Sequence, residues 1–147
     1  MARVNVGVNP KYLADQWLIA ESVEITMITG GLKKNNFEIK SEVPKEYKLG
    51  TGHINFFKPK ITYLKRRLLE VNKEMSRRGF RVGTKLDLNE YPERFLGDWY
   101  PNKKDTEILR ERLEWKFNRK PNYWRYNREK AKNGFLNELL ASDLYYV

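Results

Sequence analysis

The stretch KITYLKRRLLEVNKEMSRRG, residues 60–79, decides how the rest of the chain is read. Ile61, Leu64, Leu68, Val71 and Met75 recur at spacings of three and four, which places them on one face of a helix. Lys65, Arg66, Lys73 and Arg77 fall outside that stripe, and Gly79 supplies a stop. The spacing predicts a helix over about Lys60 to Arg78.

Working outward, the pattern stays helical. A short helix is expected at His53–Phe57, after Gly50 and Gly52, and residues 33–48 are polar and proline-broken, hence a loop. Asn9-Pro10 reads as an N-cap followed by proline at the first helical position. Leu13, Trp17, Ala20 and Glu24 then share a face, with Gly30-Gly31 as the expected stop. A carboxylate at the end of that apolar row is unexpected. Residues 82–102 look irregular, a helix over about Lys104 to Asn118 would bury Leu109, Leu113 and Phe117, and GFLNELLASDLYY suits one more short helix. Strand signals are weak, and no Asn-Gly hairpin turn occurs between alternating runs. The expectation is an all-α, compact single-domain bundle of about three main helices with long irregular loops. Residues 1–128 would form the domain, and residues 129–147 a C-terminal helical extension packed on it.

Composition narrows the function. The 147 residues, 40% hydrophobic and 33% charged, suit a globular chain with a real core. No apolar run approaches the roughly 18 residues that span a bilayer, and the start lacks a secretory signal's apolar stretch. Without cysteine there are no disulfides or thiolate sites, which fits a cytoplasmic protein. One histidine and no metal-ligand spacing argue against a metal centre, and nothing calls for a cofactor. The net charge is +10. Residues 58–81 hold nine basic and two acidic side chains and residues 110–132 nine and three, whereas residues 1–25 hold two and three. Two basic blocks of this kind read as a surface for a polyanion, most often nucleic acid.

In RKPNYWRYNR, residues 119–128, Tyr123, Trp124 and Tyr126 alternate with Arg119, Lys120, Arg125 and Arg128. Such a run either stacks bases beside held phosphates or packs its rings inward with its cations outward. Arg112 and Lys116, one helical turn apart, aim toward the same stretch and favour nucleic acid. His53, beside the Gly50-Thr51-Gly52 turn, reads as a structural residue or a phosphate contact.

Taken together, LADQWLIAESVEI (13–25), LGTGHINFF (49–57), MSRRGF (75–80), PERFLGDWYP (92–101) and RLEWKFNRKPNYWRY (112–126) resemble, in order, the phage-type pyrimidine-dimer DNA glycosylases, small all-α base-excision enzymes. The resemblance covers roughly residues 2 to 126. It implies that removal of Met1 exposes the α-amine of Ala2, which attacks C1′ of a target nucleotide, forms an imine with the opened sugar, and nicks the strand as an abasic-site lyase. The chemistry is sound in itself: an α-amine has a pKa of about 7.7–8.0 against about 10.4 for lysine, so far more of it is neutral and nucleophilic at pH 7.

The resemblance makes Glu24 the catalytic acid/base and puts Arg3, Arg112 and Lys116 on DNA phosphates. It also implies a histidine and two arginines on the first helix, gripping lesion-bearing DNA. At those positions, allowing one inserted residue before Leu13, stand Trp17, Val23 and Met27. The pocket beside Glu24 is thus more apolar, with Trp17 as a platform for one base. The expected binding set is Arg3, Trp17, His53, Arg112, Lys116, Arg119, Lys120, Tyr123, Trp124 and Arg125, and the catalytic pair Ala2 and Glu24. The expected partner is damaged or modified double-stranded DNA, bound by a monomer in the cytoplasm, that of the host if a phage encodes it. Two alternatives stay open. One is cleavage of the glycosidic bond of a modified base or a small, cyclic nucleotide signal; the other is a non-catalytic DNA-binding homologue.

Overall fold

The computed structural model describes residues 3–147. Helices α1 (Asp15–Lys34), α2 (His53–Phe57), α3 (Ile61–Arg77), α4 (Lys103–Arg119) and α5 (Phe135–Ala141) carry the fold, with one two-stranded hairpin, β1 (Arg125–Tyr126) and β2 (Glu129–Lys130). The fold is therefore mostly α, with α1, α3 and α4 as its long members. None of the described helices is long and apolar enough to cross a membrane.

Helix α3 sits where the apolar stripe predicts. All five stripe residues are buried. Its end is fixed by Gly79, at φ +78°, while Phe80 N–H donates to Met75 O and Gly79 N–H to Ser76 O, which satisfies the last carbonyls. Helix α4 opens with a capping box: Asn102 accepts from Asp105 N–H, and Asp105 accepts from Asn102 N–H, both at 2.9 Å.

Helix α1 departs from its expected bounds at both ends. Asn9-Pro10 caps a single 3-10 turn, Pro10–Tyr12, and α1 begins only at Asp15. Gly30 and Gly31 do not stop it. Ile28 and Leu32, one turn apart and buried, carry the helix across the glycines to Lys34, because burial of two core side chains outweighs the roughly 1 kcal/mol cost of each helical glycine.

Residues 3–8 run inward. Val4, Val6 and Val8 are fully buried, and so are the residues between them. Gly7 makes an isolated bridge with Tyr145, at φ +77°, where a Cβ would stand 2.4 Å from Thr106 Cβ; only glycine fits. The hairpin was also not expected. Its turn residues Asn127 and Arg128 both have positive φ, 51° and 73°, as a type I′ turn requires. Asp15 accepts both of their N–H groups, at 2.9 and 2.7 Å, docking the turn on the first residue of α1.

The basic blocks are not wholly surface. Arg67 is fully buried: its Nε and Nη2 donate to Glu21 at 2.6 and 3.0 Å, and its Nη1 donates to Val8 O and Val147 O, each at 2.7 Å. Arg78 donates to Glu74 and Asp15, and Arg110 donates to Gly7 O at 2.8 Å and Ser142 O at 2.7 Å. Three cations from the two blocks thus tie the interior together, with their donors spent on protein groups.

Candidate functional site

The site forms where the buried N-terminal segment passes between α1 and α4. Ala2, the expected nucleophile, lies outside the described residues. Arg3 and Glu24 are both buried, at 8% and 7% exposure. Glu24 reaches this place because α1 turns its Leu18, Ile25 and Ile28 face to the core, which leaves Glu24 on the flank, in line with Trp17. Burial raises the Glu24 pKa above the ordinary carboxylate range, and the Arg3 guanidinium partly offsets that rise. Among the described residues its carboxylate takes no hydrogen bond. Arg3 is the electrostatic hub: burial works against its charge, Arg112 works against it further, and Tyr47 and Glu24 favour it.

Lys116, half-buried on α4, has its amine pushed down to about 8, first by burial and then by Arg3 and Arg112. Arg3, Trp17, Ala20, Lys116, Tyr123 and Trp124 are among the walls of a cavity of about 210 Å³. The Trp17 and Trp124 rings pack at 4.7 Å between centroids, tilted by 40°. Trp17 Nε1, Trp124 Nε1 and Asn5 Oδ1, all on cavity-lining residues, are buried with no partner among the described residues. The Asn5 amide nitrogen donates to Glu21 Oε1 at 2.9 Å, which fixes its orientation. Gln16 holds the far wall: its Nε2 donates to Tyr123 O at 2.9 Å and its Oε1 accepts from Arg125 N–H at 3.0 Å.

The expected set divides. Arg3, Glu24, Trp17, Lys116, Tyr123 and Trp124 come together around the cavity or beside it, although Trp17 and Trp124 are closed from solvent at 6% and 8%. Arg112, Arg119, Lys120 and Arg125 are exposed on and after α4. His53 goes elsewhere. Its Nε2 accepts from Val4 N–H at 3.1 Å and its Nδ1–H donates to Lys48 O at 2.8 Å, so both ring nitrogens hold backbone and neither faces a substrate. Burial lowers its pKa, consistent with this neutral tautomer.

Three residues outside the expected set also border this region: Asn5 and Gln16 on the cavity wall, and Trp115 on α4 next to Lys116. Trp115 is half exposed, at 51%, with the Arg119 and Arg112 guanidiniums over its ring at 4.6 and 5.4 Å. Its place in RLEWKF, between the two cations, was the available signal. The other two act through side-chain hydrogen bonds, two at Gln16 and one at Asn5, that no pattern announces. A larger cavity of about 1030 Å³, lined in part by Glu70, Lys73, Arg77, Tyr126, Lys130 and Tyr145, contains none of the expected site residues. No cluster of His, Cys, Asp or Glu among the described residues is placed to hold a metal ion.

A sequence model described as pyrimidine dimer DNA glycosylase matches residues 1–88, which takes in Arg3, Glu24 and His53 and ends before α4. With that match over more than half of its length, the chain belongs to the pyrimidine dimer DNA glycosylase family.

Proposed function

We propose that the chain excises a base from DNA through its α-amine, exposed at Ala2 by removal of Met1. The amine attacks C1′, the bond to the base breaks, and the base leaves with its electron pair and takes up a proton. Glu24, as the carboxylic acid, donates a proton to the ring oxygen as the sugar opens to a protonated imine. As the carboxylate, it takes the C2′ proton, the 3′ phosphate leaves, and water hydrolyses the imine to free the amine. The observation that carries this reading is Glu24 itself, a buried carboxyl held toward its protonated form beside Arg3, one residue from the proposed nucleophile. Arg112 acts on the charge of Arg3, and both act on that of Lys116, and there the three cations would meet the phosphates flanking the opened sugar.

The decisive test uses protein shown by mass to begin at Ala2, mixed with abasic-site DNA and borohydride. A reduced covalent complex is expected, and its absence would sink the imine mechanism. A second reading, glycosidic cleavage of a free modified nucleotide, draws support from the small cavity of about 210 Å³. Base release from free nucleotides faster than from DNA would favour it.

A further inference from the structure

The two banks of the cleft differ in kind. On the α1 side, no lysine or arginine occurs from Asp15 to Leu32. Val23 and Met27 follow the cavity wall residue Ala20 by three and seven positions, so they continue its strip past Glu24, and they are exposed at 46% and 64%. On the α4 side stand Arg112, Lys116, Arg119 and Lys120, with two aromatic faces among them. Trp115 lies under two guanidiniums, and Tyr123, 53% exposed, lies 5.4 Å from the Lys120 ammonium.

A duplex brings a phosphate backbone to each side of any groove it offers. Laid in this cleft, its second strand would press charged phosphates against Val23 and Met27, losing water and gaining no counter-charge. A single strand has one backbone and one edge of bases. Its phosphates match the cations along α4, and its bases match the aromatic faces and the apolar strip, which is how sequence-tolerant single-strand grooves are built. The cavity between the banks, about 210 Å³, is smaller than the roughly 300–1,000 Å³ of common ligand pockets and suits one base at a time.

Resting on the reading of this cleft as a DNA site, we propose that its substrate is a single or locally unpaired DNA strand, with phosphates along Arg112, Lys116 and Arg119 and bases toward Trp115, Val23 and Met27. The test measures affinity, by fluorescence anisotropy at fixed salt, and nicking of one oligonucleotide with a central abasic site, alone or annealed to its complement. The single strand should bind at least about tenfold tighter. Trp115→Ala, at an exposed position, should weaken strand binding about tenfold and leave the salt dependence unchanged, because it removes stacking and no charge. Val23→Arg with Met27→Arg should raise duplex affinity and narrow the difference. Equal or tighter binding of the duplex by the unaltered chain would overturn the proposal, and so would duplex affinity unmoved by the two arginines. If borohydride trapping fails on both substrates while the strand preference persists, the imine mechanism falls and this inference stands. If trapping succeeds but the duplex is preferred, the reverse holds.

Discussion

Glu21 and Glu24 stand three residues apart on α1, both buried and both with an arginine within electrostatic reach. Glu21 is saturated: Arg67 grips it through two nitrogens and Asn5 adds a third donor. Glu24 has a cation in range but no hydrogen bond among the described residues, and burial holds it toward the neutral acid. The difference separates a carboxylate that holds the fold from one left in a condition to exchange protons. Both are buried; what distinguishes them is the number of donors that the described residues spend on each.

Removing Glu21 should have the largest effect. Glu21→Ala leaves a guanidinium buried without its counter-charge and should cost about 3–5 kcal/mol in urea unfolding. The paired change Glu21→Leu with Arg67→Met should recover most of that loss, and failure to do so would mean the pair does more than neutralise itself. Glu24→Gln should behave in the opposite way. Strand nicking should fall by about 10²–10⁴ while the unfolding midpoint stays level, and equal losses of binding and rate would make Glu24 merely structural.

His53 offers a third contrast, a buried titratable group fully committed to backbone. His53→Phe leaves Val4 N–H without its acceptor and should cost about 1–3 kcal/mol. The pH dependence has a definite sign. Burial holds the folded-state pKa below the ordinary value of about 6.5, so below that pH the unfolded chain binds the proton first. Stability from this residue is full at neutral pH and declines as pH falls through about 6.5, so the gap between wild type and His53→Phe in thermal melts should shrink on acidification. The smallest effect concerns Arg3. Its charge lowers the Glu24 pKa, so Arg3→Met should move the acidic limb of the nicking profile to higher pH; a limb that stays put would detach Arg3 from the carboxylate.

Much of this was legible in the chain. The period of α3 and α4 located both helices, because each buries one regular stripe, and Trp17, Ala20 and Glu24 pointed to the flank on which Glu24 sits, although Leu13, read as part of the same row, lies ahead of α1. Gly30-Gly31 misled because a stop signal acts only where tertiary packing does not continue past it. Val4, Val6 and Val8 alternate, but a segment buried on both sides by helices and arginines has no partner strand to reveal it. The basic blocks misled in part for the same reason: whether Arg67, Arg78 and Arg110 reach solvent or carbonyl groups depends on what lies opposite in space. The pocket drew walls from α1 and from the residues after α4, about a hundred positions apart, joined by Gln16.

The clamps on residues 3–8 also set an order of construction. These residues leave the ribosome well before most of the groups that hold them: Arg110, the Tyr145 N–H on Gly7 O, and an arginine that also grips Val147 O. During synthesis the segment carrying Arg3 must wait for partners that emerge later. The growing chain therefore cannot hold the candidate site in place until the segment carrying Tyr145 has been made.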